Sequence, residues 1–245
     1  ILFTTGYDGR SLMPVLVASC AKWLAKAVCI LSTGMLALTL FYTQASFAES
    51  HKTAAEPMSD FARGVQAVKD KNFQLALNLF ELEPEKSEYE AMYNLALLLK
   101  AGKGRPQNYV KALYWAYLAQ LGGIELASDI IDELADILNE TQRQPILEKV
   151  EAQLLKRINT GEFDAIPQYA SFFTSLLEEP DYAKAYQWYA IAVALGLPEM
   201  TELRDDMESE VDIENIPKLQ ARTAELFNML MNGQAIQVKE MANES

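Results

Sequence analysis

The chain repeats part of its own sequence at an interval of 73 residues, which slips to 72 from Pro145 onward. The segment Tyr109–Trp115 (YVKALYW) returns as Tyr182–Trp188 (YAKAYQW), and further matches place the two units at about 88–160 and 161–233. Each unit contains four segments with helical periodicity, so the elementary period is about half the interval, which is typical of repeats built from helix pairs. The pattern therefore predicts an all-α fold, an α/α solenoid of about five helix pairs.

Apolar residues recur with helical spacing through the rest of the folded region, and glycines and prolines interrupt them. The interruptions predict ten helices, at 58–71, 73–82, 87–101, 108–121, 124–139, 145–159, 164–178, 181–195, 198–209 and 217–232. Asn108 and Asp181 stand where a helix N-cap is needed, and Gly123 and Gly196 suit the left-handed residue that ends a helix. We expect these repeated residues to form the scaffold and not a site.

A family resemblance is visible around the first matched segment. It is carried by Ala91-Met92-Tyr93-Asn94-Leu95-Ala96, by Gly102-Lys103-Gly104, and by Asn108-Tyr109-Val110-Lys111-Ala112 with Trp115, Ala119 and Gly123. These residues resemble one Sel-one-like repeat, a relative of the tetratricopeptide repeat. The stretch 64–80 is similar to the tetratricopeptide-like pair that opens exported bacterial members. The resemblance implies a superhelix whose groove suits peptides or protein surfaces, so we expect a non-enzymatic protein- or peptide-binding module.

The N-terminal segment has the order of features found in export signals. Lys22 and Lys26 precede an apolar run at 27–42, and Ser46-Phe47-Ala48 has small residues where signal peptidase reads them. We expect residues 1–48 to be an export signal that is cleaved before Glu49, with Met13 a better start than Ile1. The alternative is an uncleaved membrane anchor, although the apolar run is shorter than the roughly 20 residues that span a bilayer comfortably.

The rest of the chain divides into a flexible linker at 49–60, the repeat domain at 61–233 and a polar tail at 234–245. An export signal places the module outside the cytoplasm, and we expect the periplasm of a Gram-negative cell. If the signal segment is retained, the protein becomes a membrane-tethered scaffold with the same repeat domain.

The charge balance excludes two classes of partner. The chain has 21 basic and 34 acidic side chains, and without residues 1–48 its net charge is −15. Nucleic acids and anionic lipid surfaces both need a basic face, so neither is an expected partner. A protein or peptide, particularly a basic one, fits the charge better.

Several kinds of catalysis are also excluded by residue content. Both cysteines, Cys20 and Cys29, lie within the predicted export signal, and the one histidine, His51, lies in the predicted linker. The repeat domain therefore has no residues for a Ser-His-Asp or Cys-His site, or for a zinc site built on histidine and cysteine. We expect no cofactor and no enzyme activity. The remaining alternative is a carboxylate-dependent hydrolase that acts on cell-wall or sugar substrates.

The first helix of a repeat pair usually lines the concave face, which makes the helix at 87–101 a candidate binding element. Its helical spacing predicts a packing face of Ala91, Leu95, Leu98 and Leu99. The other face presents the candidate binding groove, formed by Glu90, Tyr93, Asn94 and Leu97.

Two acidic runs occupy matching positions in the two units. Glu125–Glu140 holds six acids and no base, and Glu199–Glu214 holds eight acids and one base. Within the second run, Asp205, Asp206 and Glu208 form a candidate acidic surface for a basic partner. The alternative is a solvated helix face that keeps the protein soluble.

Overall fold

A computed structural model describes residues 58–82 and 89–237 of the chain. Within those residues it has ten α-helices, one short 3₁₀ helix and no strand, which confirms the all-α prediction. The helices are α1 (Asp60–Lys69), α2 (Phe73–Leu82), α3 (Tyr89–Ala101), α4 (Tyr109–Leu121), α5 (Ala127–Ala135), α6 (Glu140–Asn159), α7 (Ile166–Ser175), α8 (Tyr182–Ala194), α9 (Met200–Ser209) and α10 (Ile216–Met231). The 3₁₀ helix, Phe163–Ala165, leads directly into α7.

The first two helices pack closely because a glycine faces an aromatic ring. A Cβ on Gly64 of α1 would lie 2.6 Å from the nearest ring carbon of Phe80 on α2, so only glycine fits there without a shift. Phe61 adds a tilted ring contact to Phe80, with the two centroids 5.8 Å apart. The Ser59 side chain caps α1 by accepting a 3.1 Å hydrogen bond from the Ala62 amide.

The same cap hydrogen bonds occur in both units. Asn108 at α4 and Asp181 at α8 each accept a 2.9 Å bond from the backbone amide three residues later. Beyond the other ends of these helices the chain passes through Gly123 at φ 91° and Gly196 at φ 75°. A residue with a Cβ would pay about 1 to 2 kcal/mol for that left-handed conformation. The predicted caps are therefore confirmed at corresponding places in the two units.

Helix α6 begins earlier than the sequence indicated. The proline at 145 predicted a start there, but α6 begins at Glu140 and Pro145 lies inside it. The reason is a capping box: the Asn139 side chain accepts from the Gln142 amide, and the Gln142 side chain accepts from the Asn139 amide, both at 3.1 Å. The preceding helix accordingly ends at Ala135 and not at 139.

The buried residues form one continuous hydrophobic cluster that runs from α1 to Ile236. Helix α4 packs against α3, α5, α6 and α7, and α8 packs against α7, α9 and α10. At the centre of the second unit, the Tyr169 ring lies edge-on to Trp188 at 4.8 Å and to Phe173 at 5.0 Å. Aromatic pairs of this geometry add about 1 kcal/mol beyond the burial of their area.

The predicted export signal at 1–48 lies outside the described residues, and so does most of the predicted linker. None of the helices in 58–82 and 89–237 has the length and apolarity that a membrane crossing requires. After α10 the chain folds back, and Ile236 is buried while its backbone exchanges two 2.9 Å hydrogen bonds with the Asn159 side chain. The rest of the segment that was predicted as a polar tail, 238–245, lies outside the described residues.

Candidate binding surfaces

The four candidate groove residues lie on one side of α3, but they are only partly available. Glu90 is exposed, whereas Tyr93, Asn94 and Leu97 are half-buried. Tyr93 and Leu97 pack against the core cluster, and the Asn94 side-chain amide donates a 2.7 Å bond to the Glu90 carbonyl within the helix. The edges of these side chains therefore face solvent, while much of their surface is used by the scaffold. The packing face predicted for this helix (Ala91, Leu95, Leu98 and Leu99) is buried throughout.

The candidate acidic surface lies on α9, which has no buried residue. Asp205 and Asp206 are exposed and Glu208 is half-buried. Asp205 accepts a 2.8 Å hydrogen bond from the Arg204 guanidinium, so part of its charge is neutralised locally.

The structure brings Asp205 and Glu208 together at one depression and leaves Asp206 outside it. The depression has a volume of about 520 Å³ and is also lined by apolar residues, among them Ile213 and Ile216. Ile213 is 84% exposed. This surface therefore combines carboxylates with exposed aliphatic groups.

The acidic run of the first unit has a different structural role. Its helix, α5, buries Ala127, Ile130 and Leu134. The residues 73 positions later on α9 are Met200, Leu203 and Met207, of which Leu203 is exposed and the two methionines are half-buried. Corresponding apolar positions are thus fully buried in the first unit and only partly buried or exposed in the second.

The last helix of each unit shows the same difference. Helix α6 buries seven residues, whereas α10 buries three. Leu147 is 7% exposed, and its counterpart 72 residues later, Leu219, is half-buried. Leu155 is buried, and its counterpart Phe227 is half-buried. The identity of the residue does not cause the difference, because leucine occupies both positions in the first pair.

Helix α7 provides the cover in the first unit. It packs against both α4 and α6. The Tyr169 hydroxyl on α7 donates a 2.9 Å hydrogen bond to the Glu151 carboxylate on α6. Beyond the end of α7, Glu178 forms a 2.7 Å ion pair with Arg143 near the start of α6. No helix of the described chain follows α10 to play the corresponding part in the second unit.

The uncovered place in the second unit is an apolar groove between α8 and α10, which we call the end groove. It encloses about 300 Å³ and no lining residue is charged. Its walls include Tyr186, Ala190 and Ile191 from α8, and Thr223, Ala224 and Phe227 from α10. The sequence analysis missed this groove, because helical spacing does not show what packs against a helix face.

Two groups at the α6–α7 contact have altered acidity. Burial raises the pKa of the Glu151 carboxyl, while the hydrogen bond from Tyr169 and the charge of Lys184 partly oppose that effect. Burial also raises the pKa of the Tyr169 hydroxyl, and the nearby Glu151 charge adds to it. The tyrosine therefore stays a hydrogen-bond donor at neutral pH, and the pair acts as a polar link inside an apolar contact.

A second polar link joins the two units through Arg157 at the end of α6. Its guanidinium forms ion pairs with Glu162 at 3.0 Å and Asp164 at 2.9 Å. It also donates to the side-chain oxygen of Gln168 at 2.8 Å and to the Tyr89 hydroxyl at 3.3 Å. The side chain is only about 10% exposed, and this cluster therefore holds the α6–α7 junction in one arrangement.

The described residues contain no group of three or more histidine, cysteine, aspartate or glutamate side chains placed to hold a metal ion. No protein-family model matches the chain, and no curated protein matches it.

Proposed function

We propose that this chain is a helical-repeat module that binds a protein or peptide partner and catalyses no reaction. The observation that carries the proposal is the end groove, whose wall residues Ala190 and Phe227 are half-buried whereas their counterparts in the first unit, Tyr117 and Leu155, are buried. Uncharged apolar surface of this kind is costly to expose to water, and a contiguous patch is typical of an interaction site.

The proposed architecture is an α/α solenoid of the Sel-one-like type, with about five helix pairs. The repeated caps at Asn108 and Asp181 support it, because they start the second helix of a pair at the same place in each unit. The contacts between helices that follow one another in sequence, such as α3 with α4 and α7 with α8, also fit a stack of pairs.

The proposed location is outside the cytoplasm, most simply the periplasm. Lys22, Lys26 and the apolar run at 27–42 support export. If residues 1–48 are retained, the same module becomes a membrane-tethered scaffold. The binding proposal is unchanged by that choice, because the end groove is formed by α8 and α10 alone.

A basic partner is favoured on electrostatic grounds. Without residues 1–48 the net charge is −15. Asp205 and Glu208 line an open depression beside exposed aliphatic groups. A partner with a basic surface would be attracted from a distance and then held by short-range apolar contacts.

The hydrolase alternative needs a carboxyl that can act as a general acid. Burial raises the pKa of the Glu151 carboxyl, which is a property expected of a general acid. Its carboxylate, however, accepts the Tyr169 hydroxyl within the α6–α7 contact. That placement gives Glu151 a structural role.

The test is a comparison of two matched variants as bait. Ala224→Arg places a charge in the end groove, whereas Ala152→Arg places the same charge at the exposed position 72 residues earlier on α6. Each variant is incubated with an envelope extract and the retained proteins are identified by mass spectrometry. We expect wild type and Ala152→Arg to retain the same protein and Ala224→Arg to lose it. Equal retention by all three, or no retained protein, would contradict the proposal.

A further inference from the structure

We infer that the end groove receives an amphipathic helix of a protein partner, and that this helix presents an uncharged face with an aromatic residue at its centre. The inference rests on the proposed binding function and names the kind of partner. It starts from the fact that the chain already contains one occupied groove of the corresponding type, formed by α4 and α6 and filled by α7.

Helix α7, the occupant of that first groove, indicates which side chains a helix in the end groove would present. Helix α7 has no charged residue along its whole length. Ile166, Tyr169, Ala170 and Phe173 are buried and follow the spacing i, i+3, i+4 and i+7, so they form one continuous face. Tyr169 lies within that face: its ring packs on Trp188 of α8, and its hydroxyl donates to Glu151 of α6.

The walls of the end groove suit a helix face similar to that of α7. They are uncharged, and Ala190 and Ala224 are small enough to let a second helix backbone come close. Tyr186 and Phe227 provide aromatic area at the sides. Thr223 stands at the position of Glu151, 72 residues later, so the end groove offers a hydroxyl where the first groove offers a carboxylate.

A helix fits this groove better than an extended peptide does. A helix satisfies its own backbone N–H and C=O groups, so it can lie against uncharged walls without losing hydrogen bonds. An extended peptide needs backbone partners, and the side chains that could provide them are confined to Gln220, Thr223 and Asn228 on α10 and the Tyr186 hydroxyl on α8. Of these, Tyr186 already accepts a hydrogen bond from Gln220, and the Thr223 hydroxyl donates to the Leu219 carbonyl.

A second copy of the chain is a poorer candidate than a partner. Among the described helices, the required uncharged aromatic face is found on α7, and that face is buried within the second unit. It could reach another copy only if that unit opened. A different protein has no such restriction.

The probe for the experiment is a fluorescent peptide with the sequence of residues 163–179, FDAIPQYASFFTSLLEE, which carries the face of α7 and ends in two solubilising glutamates. Binding to the purified full chain is followed by fluorescence anisotropy. We expect saturable binding that Ala224→Arg weakens at least tenfold and that Ala152→Arg changes less than twofold. A peptide with Tyr169→Glu, which places a charge at the centre of the face, should bind at least tenfold more weakly. Circular dichroism should show unchanged helix content in both protein variants.

Three outcomes would overturn the inference. The first is no binding, or binding that Ala152→Arg weakens as much as Ala224→Arg does. The second is binding that appears only after residues 1–48 are removed, which would assign the groove to that segment of the chain itself. The third is concentration-dependent self-association that Ala224→Arg abolishes, which would assign the groove to a second copy. If the peptide fails but Ala224→Arg still abolishes retention of a protein from the extract, the binding function stands and only the helical partner is wrong.

Discussion

The Tyr169 hydroxyl on α7 donates a 2.9 Å hydrogen bond to the Glu151 carboxylate on α6. It joins the first helix of the second unit to the last helix of the first, as does the 2.8 Å hydrogen bond from Arg157 to the Gln168 side chain. Helix α7 thereby closes the first unit, and the second unit has no corresponding closing helix in the described chain.

This bond predicts a pH-dependent gain in stability for Glu151→Gln. Burial raises the pKa of Glu151 in the folded state, so deprotonation of this carboxyl opposes folding above that pKa. Glutamine keeps an oxygen that accepts from Tyr169 and has no charge to desolvate. Urea unfolding should show Glu151→Gln to be more stable than wild type at pH 7, with the difference shrinking as the pH falls towards 4.

Tyr169→Phe is the control for that prediction. It removes the donor and leaves the carboxylate without this partner, so it should lower stability by about 1 to 2 kcal/mol at pH 7. If Glu151→Gln were less stable than wild type at pH 7, the Glu151 charge would be stabilising the α6–α7 contact.

Gly122 and Gly123 predict a difference between two adjacent alanine substitutions. A Cβ on Gly122 would lie 2.0 Å from the Tyr89 ring, whereas a Cβ on Gly123 meets nothing within 4 Å. Gly123→Ala should lower the free energy of unfolding only by the strain of its left-handed backbone, about 1 to 2 kcal/mol. Gly122→Ala must displace Tyr89, whose hydroxyl accepts from Arg157 and Gln168. Overpacking costs about 1 to 3 kcal/mol, and the disturbed hydrogen bonds add to it.

Thermal unfolding of the two variants, followed by circular dichroism, measures the difference. Gly122→Ala should have the lower melting temperature. A lower melting temperature for Gly123→Ala would contradict this prediction, because it would show that the Tyr89 ring moves aside without a loss of stability.

The caps and the helices could be predicted from sequence because their causes are local. Asn108, Asp181 and Gly123 act on the turn in which they stand, and each has the predicted role. The predicted start of α6 at 145 is wrong because the capping box of Asn139 and Gln142 begins the helix before the proline.

The end groove could not be predicted in the same way because exposure depends on what packs against a helix. Leu147 and Leu219 are the same residue at corresponding positions, yet the first is buried and the second is half-buried, and their helices have different neighbours: α6 packs against α4 and α7, whereas α10 packs against α8. The α3 candidates show the converse case. Tyr93 and Leu97 were placed on the open face by helical spacing, and the structure packs both against the core.

The acidic surface predicts an effect on the rate of association with a basic partner. Changing Asp205, Asp206 and Glu208 to their amides should slow association about tenfold at low salt, and much less above 0.15 M, where the screening length is about 8 Å. Dissociation should change little, and the helical circular dichroism should be unchanged. Stopped-flow measurements with the partner retained by the wild-type bait give both rates.

A matched control removes the same charge elsewhere. Asp129, Asp132 and Asp136 are exposed acids in the run of the first unit. Their conversion to asparagine should slow association less than the α9 triple change. Equal slowing by both triples would assign the effect to net charge, and no slowing by either would leave the acidic runs as solubilising surface.

The N-terminal segment predicts a specific processed form. Protein isolated from the cell envelope should begin at Glu49, because Ser46-Phe47-Ala48 has the small residues that signal peptidase requires. Mass spectrometry of the intact protein measures this directly. Intact chain in the membrane fraction would support the tethered scaffold instead.

Amide hydrogen exchange tests most directly the central claim that the second unit is completed by a partner helix. In the free protein, α10 should exchange faster than α6, because α6 lies beneath α7 and α10 has no covering helix in the described chain. Addition of the 163–179 peptide should slow exchange in α8 and α10 and leave α3 and α6 unchanged. Equal protection of α6 and α10 in the free protein, or protection by the peptide confined to α3, would contradict the account.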